Sequence, residues 1–250
     1  MNEEVAPFKR PNDGLRRFGP CLRGKVLILE GLISAGKSTA GQELIRYVTN
    51  LGIKCKFFPE PIIPGLLQLF LSDQKQYAFA FQLAMLVKRQ SIYREAYEYA
   101  AKGYFCIIDR SLHGDYCFAL LHHSRGNISD KSENIVEPIV EGGYAIEKGP
   151  SQWKAYLEVL HGEQFEHPDY VVYLEVSPET AIKRCASRDR KGEGSYDRKY
   201  FEELCNVYSS VIPSSPAKSI IVLDWNAPRT TDDIALPLLL HLKSNYDGMF

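Results

Sequence analysis

The run Val26-Leu27-Ile28-Leu29-Glu30-Gly31-Leu32-Ile33-Ser34-Ala35-Gly36-Lys37-Ser38-Thr39 constrains this chain more than any other feature. It reads as an apolar strand feeding a G-x-x-x-x-G-K-S loop, with a helix-competent stretch over 41–51 directly behind. Successive backbone N–H groups of such a loop point inward and cradle phosphate oxygens. A lysine reaches the outer phosphates, a serine hydroxyl ligates Mg²⁺, and the helix N-terminus adds its positive end. The candidate phosphate-binding residues are therefore Gly31, Ser34, Ala35, Gly36, Lys37, Ser38 and Thr39.

With 250 residues and 45% hydrophobic content, the chain can bury a full core as one domain over 25–250. The first 24 residues, with Lys9, Arg10, Arg16, Arg17 and Arg23 among breakers, read as a flexible N-terminal tail. An organelle-targeting (mitochondrial) arm is the alternative reading of that tail, and Glu3, Glu4 and Asp13 count against it. Thirty basic residues against 31 acidic give no bulk signal for nucleic acid or an anionic membrane surface. No apolar stretch approaches the ~20 residues that span a bilayer, and no secretory h-region opens the chain. Cys21, Cys55, Cys106, Cys117, Cys185 and Cys205 show no C-x-x-C spacing, which points to a reducing compartment such as the cytosol.

Short apolar runs alternate with helical patterns along the chain. Strands are expected over 25–30, 55–58, 105–109, 170–176 and 219–224, without clean alternation, as for strands buried on both faces. Helices are expected over 39–51, 66–72, 78–102, 112–122, 152–161, 178–187, 197–211 and 231–243, with Pro178 and Asp197 as start signals. Such alternation predicts an α/β fold: a parallel sheet with helices on both faces. The segment 124–150, with six glycine or proline residues, reads as the least structured interior stretch, an excursion between two helices.

Ligands of such sheets bind beyond the carboxyl ends of the strands. After the second strand stands Pro59-Glu60-Pro61, a stiff corner that can aim a carboxylate as a general base. After the third stands Asp109-Arg110-Ser111. Asp109 ends the apolar run where a phosphate-loop protein places a carboxylate near Mg²⁺, and Arg110 offers a permanent planar fork. Ser38 and Asp109 are thus the candidate metal ligands. Gln82, Met85 and Arg89, spaced by three and four, share one face of a long helix, and a Gln amide suits a nucleobase edge. Arg184, Arg188 and Arg190 run into a Gly-rich loop that could close over transferring phosphates, a lid over about 188–196.

Taken in order, Glu30-Gly-x-x-x-Ala-Gly-Lys-Ser-Thr, the Glu60 corner, Phe79-Ala80-Phe81-Gln82, Asp109-Arg110-Ser111 and the Arg-rich lid resemble the deoxyribonucleoside kinase family, from about Lys25 to Asp224. The resemblance implies a P-loop kinase fold: a five-stranded parallel sheet flanked by helices, with an Arg-rich lid, in a homodimer. It implies ATP-dependent phosphorylation of a deoxynucleoside 5′-hydroxyl with Mg²⁺. The partners are then small molecules, with neither nucleic acid nor membrane. On this resemblance Glu60 takes the 5′-OH proton, Arg110 holds that carboxylate and the phosphates, and Gln82 and Phe118 contact the base. Glu193 binds the sugar 3′-OH, Arg184, Arg188 and Arg190 are the lid arginines, and Asp224 lies near the donor base. Arg89 and Asp115 form a polar clasp that leans toward deoxycytidine or purines, against which the bulk of Met85 argues.

Four features depart from the family pattern. Asp109 stands where a Glu is usual, one residue is missing after Asp115, the sugar-binding tyrosine before Phe79 has no counterpart, and the 124–150 excursion is longer. Because thymidylate kinases carry Asp-Arg at 109–110, a thymidylate-type nucleoside monophosphate kinase is the alternative. A non-catalytic P-loop nucleotide binder is the other, disfavoured because such a protein has no use for Glu60.

Overall fold

The computed structural model describes residues 19–138, 144–188 and 196–227, with Asp233 and Leu238. A 3₁₀ turn over Gly19–Leu22 leads into β1 (Val26–Glu30), followed by α1 (Lys37–Asn50) and β2 (Cys55–Phe58). Then come α2 (Pro64–Ser72), α3 (Gln74–Ala101), β3 (Phe105–Asp109) and α4 (Leu112–Ser124). A ribbon of β4 (Ser132–Pro138) and β5 (Tyr144–Ser151) precedes α5 (Gln152–His161). The chain continues with β6 (Tyr170–Glu175), α6 (Pro178–Arg188), α7 (Arg198–Val211) and β7 (Ser219–Asp224).

Five strands form one parallel sheet in the order β2-β3-β1-β6-β7. Every residue of β1 and β3 is buried, because helices cover both faces of these central strands. From β1 the chain crosses to the β2 edge and returns as β3, then passes β1 to reach β6 and β7. The loops after β1 and β3 therefore part at a switch point, where a crevice opens beyond the carboxyl ends.

All five expected strands are present, and the differences lie elsewhere. The segment 124–150 is not unstructured: its two strands pair antiparallel in a sheet of their own. The assigned tail is also folded at its end, since Leu22 is buried in the core. Helix α3 starts at Gln74 rather than 78, because Asp73 accepts from the Gln76 N–H (3.0 Å) and caps a polar first turn that shows no apolar period. Asp197 caps α7 through the Tyr200 N–H (2.7 Å). The helix expected over 231–243, apart from the helical Asp233 and Leu238, the lid residues Arg190 and Glu193, and most of the N-terminal tail lie outside the described residues. Among the described residues no helix is long and apolar enough to cross a membrane.

Candidate active site

Helix α1 has no side-chain cap; Gly36 precedes it in the left-handed region at φ 99°. Its first N–H groups therefore remain for an external anion, which the positive end of the helix attracts. Ser34 also sits at positive φ (60°), and its hydroxyl is buried with no protein partner. A non-glycine residue in that region stores strain, and Ser34 is among the residues that line the cleft. Lys37 is buried at the first position of α1 and donates to the carbonyls of Gly31 (3.1 Å) and Leu32 (2.9 Å). Burial lowers its ammonium to about 8, with Arg110 adding to the shift and Asp109 and Glu60 opposing it.

Ser38 donates to Asp109 Oδ2 at 2.5 Å, while Asp109 Oδ1 is buried without a partner. A serine hydroxyl and a carboxylate with a spare oxygen, beside a phosphate loop, fit a Mg²⁺ held by one or two protein oxygens together with phosphates and water. Among the described residues no group of three or more His, Cys, Asp or Glu forms a self-sufficient metal cage.

Glu60 projects from the corner after β2 and keeps 35% of its side chain open to the cleft. Its Oε1 accepts from Arg110 Nε (2.8 Å) and from an Arg89 terminal nitrogen (3.3 Å). Burial pushes this carboxyl up, but Arg110, Arg89 and Lys37 together outweigh it and hold the group at about 2. Arg110 is itself at φ 75°, left-handed for a long side chain. It is over-determined by its contacts: it donates to the Gly31 carbonyl (3.2 Å) and to the Tyr208 hydroxyl, and its guanidinium lies 4.7 Å from the Phe118 ring centroid.

The helix face carrying Gln82, Met85 and Arg89 is buried and lines the same cleft, as do Asp115 and Phe118. Arg89 and Asp115 are bound to each other (Nε to Oδ1, 3.2 Å). The remaining Arg89 contacts run inward, to Glu60 and to the carbonyls of Asp109 (3.5 Å) and Arg110 (3.4 Å). Asp115 Oδ2 accepts from the buried Tyr156 hydroxyl at 2.8 Å. The pair thus braces the Glu60 corner and the 109–110 turn as well as lining the cleft. The cleft has a volume of about 410 Å³ and runs from the phosphate loop to an aromatic end at Phe70, Phe81, Tyr196 and Tyr200, within the range of small-molecule sites.

Arg184 and Arg188 line the cleft. Arg184 braces the phosphate loop by donating to the Ala35 carbonyl (3.1 Å) and the Trp225 carbonyl (2.8 Å). Asp224 lies at the end of the edge strand, where its Oδ1 accepts from the Asn226 N–H (3.0 Å) and amide (2.8 Å), apart from the cleft lining. Thr39 lines the cleft and Gly31 and Ala35 shape the loop. Sequence reasoning gave no role to Glu30, Tyr156, Tyr208 or Trp225. Only Glu30 carried a signal, a charged residue closing a strand that is otherwise apolar.

A family model described as deoxynucleoside kinase matches residues 27–235. A deoxyguanosine kinase of Dictyostelium discoideum is 28% identical over 205 residues, covering 81% of this chain and 64% of that protein. A deoxyadenosine kinase of the same organism is 26% identical, covering 91% of this chain and 82% of its own length. Among solved structures, the deoxyadenosine kinase from M. mycoides with bound dATP superposes with a TM-score of 0.66 at 21% identity. That superposition covers 87% of this chain and 98% of the other, a likeness of fold.

Proposed function

The chain belongs to the deoxynucleoside kinase family, and we propose that it moves the γ-phosphoryl group of ATP to the 5′-hydroxyl of a deoxyribonucleoside, yielding the 5′-monophosphate. One observation carries the reading. A phosphate loop, a carboxylate on a stiff corner and a buried arginine shared between them converge on a single cleft.

Phosphoryl transfer asks the protein chiefly for positioning and for charge stabilisation. The N–H groups opening α1, Ser34 and Lys37 hold the donor phosphates. Ser38 and Asp109 would hold Mg²⁺, which would neutralise the charge on the donor phosphates. Glu60, ionised throughout the working pH range, accepts the 5′-OH hydrogen and aims the oxygen along the line of attack. Arg110 spans the distance between that acceptor and the phosphates, its rigid fork suited to both. Gln82 pairs with the base edge, and Phe118 and Met85 wall the base. Arg184 and Arg188, which line the cleft, act with Arg190 as the arginines that stabilise the transferring phosphates, and Glu193 binds the sugar 3′-OH. The reading extends to a homodimer in a reducing, cytosolic setting, in keeping with six free cysteines.

The test is initial rates with Mg²⁺·ATP against all four deoxynucleosides, with ribonucleosides and dTMP alongside. Turnover of deoxynucleosides is expected. Faster turnover of dTMP than of any nucleoside would move the protein to the thymidylate kinases, and silence on every acceptor despite ATP binding would make it a binder.

A further inference from the structure

Glu30 closes β1 with a fully buried side chain. Burying a carboxylate is costly unless its bonds repay the lost hydration. Here Oε1 accepts one strong bond, from the Ser111 N–H at 2.5 Å, while Oε2 has no hydrogen-bond partner. An apolar residue at the end of this strand would avoid that cost, so the carboxylate calls for another explanation.

Its surroundings supply one. The last backbone bond between β1 and β3 runs from the Arg110 N–H to the Leu29 carbonyl (2.9 Å). Beyond it the two chains part, one into the phosphate loop and the other into Asp109-Arg110-Ser111. Glu30 adds one more rung with its side chain, fixing the Arg110–Ser111 peptide just after the left-handed Arg110. Its carboxyl group also interacts electrostatically with the Arg110 guanidinium. The first turn of α4 makes room for it. A Cβ on Gly114 would stand 2.5 and 2.6 Å from the two Glu30 oxygens and 2.7 Å from Arg110 Cγ.

We infer that Glu30 is a positioning residue for phosphoryl transfer: through Ser111 it locks the register between the phosphate loop and the turn that aims Asp109 and Arg110. The inference rests on the kinase reading of that cleft. It touches no substrate and acts only through the turn.

Three variants test it, each measured for kcat, both KM values and Tm. Glu30→Gln keeps an acceptor at the right reach for the Ser111 N–H but loses the charge. Glu30→Asp keeps the charge on an arm too short to make the bond. Gly114→Ala leaves Glu30 in place and displaces its carboxylate. The expected order of kcat is wild type, then Glu30→Gln, then Glu30→Asp. Glu30→Asp and Gly114→Ala should each lose on the order of 10²-fold, the scale of losing one aligned donor, while both KM values stay within about threefold, as for groups that matter in the transition state. A buried charge with a merely structural role predicts the opposite order, with Glu30→Asp the better enzyme, and that order overturns the inference. Loss of kcat that follows Tm across the three variants also overturns it. If Glu30→Asp does not fold, Gly114→Ala carries the comparison. A wild-type protein that phosphorylates no deoxynucleoside refutes the kinase reading instead, and this inference falls with it.

Discussion

Replacing Arg89 with methionine tests the buried bracing directly. The guanidinium and the Asp115 carboxylate are each only 2% exposed, and Arg89 also ties Glu60 and two backbone carbonyls of the 109–110 turn. Methionine fills much of the volume, so the lost bonds dominate the cost. Breaking one side of a buried pair typically costs about 3–5 kcal/mol, because the partner is left uncompensated. For a chain of this size that is a fall in Tm of roughly 10 °C. The sign with pH follows as well. Burial pushes the Asp115 carboxyl up, and Arg89 is the largest influence holding it down. Without Arg89 its folded pKa rises further above the unfolded value. The variant's deficit relative to wild type should then be smallest at low pH and grow as pH rises through the folded pKa. Removing the charge at Asp115 as well, as Asn, should recover at least about 2 kcal/mol relative to additivity. The assay is urea unfolding of the four proteins of the cycle at pH 5 and pH 8. A cost below about 1 kcal/mol for Arg89→Met, or additivity within about 0.5 kcal/mol, would refute the bracing role.

Two further outcomes are expected. Arg110→Ala should lower kcat by about 10²-fold or more, because Arg110 serves Glu60 and the phosphates together; near-normal turnover measured in steady state would sink the assignment of that residue. His122, fully buried between the Asn127 amide (3.1 Å) and the Tyr200 hydroxyl (3.4 Å), is lowered from 6.5 to about 4 by burial and by Arg125. The unfolded chain therefore binds a proton first, so stability held above pH 6.5 is lost as pH falls toward 4, by about 3 kcal/mol. His122→Phe should flatten the pH dependence of the urea midpoint in that window, and an unchanged slope would mean that the histidine is not held neutral.

Legibility in the sequence followed the range of the interactions. The phosphate loop is local: strand, glycines, lysine and helix follow one another within 14 residues, and all take their expected places. The five strands were readable because burial on both faces leaves them uniformly apolar. Residues 132–151 were not, because the paired segments lack clean apolar alternation, so Gly142-Gly143 read as part of a breaker-rich excursion rather than as a hairpin turn. The site shows the same division. Glu60 and Arg110 announced themselves by standing just after strands. The bond between Glu30 and Ser111 spans 81 positions, and that between Tyr156 and Asp115 spans 41; nothing within either neighbourhood encodes the partner. Arg89 and Asp115 were read as a clasp on a base because their residue types suit one. That the same guanidinium also reaches Glu60 and the turn carbonyls depends on how α3 packs over the sheet.

The shared arginine also resolves an apparent conflict in the chemistry. A carboxylate held at about 2 is a poor base, yet proton removal is assigned to Glu60. After burial itself, the largest influence on Glu60 is the Arg110 guanidinium, and that pairing is not permanent. Phosphate oxygens entering the cleft compete for the same fork, and each share of it that they take leaves Glu60 less stabilised as an anion and therefore more basic. In the proposed reaction donor binding and base strength are coupled through one side chain, with Arg89 keeping the carboxylate in place meanwhile. The proton also moves late in a loose transition state, when the attacking oxygen has become strongly acidic. A permanently ionised acceptor of modest basicity is sufficient for that step. It has the further advantage of resting ionised, and so ready to accept, at working pH.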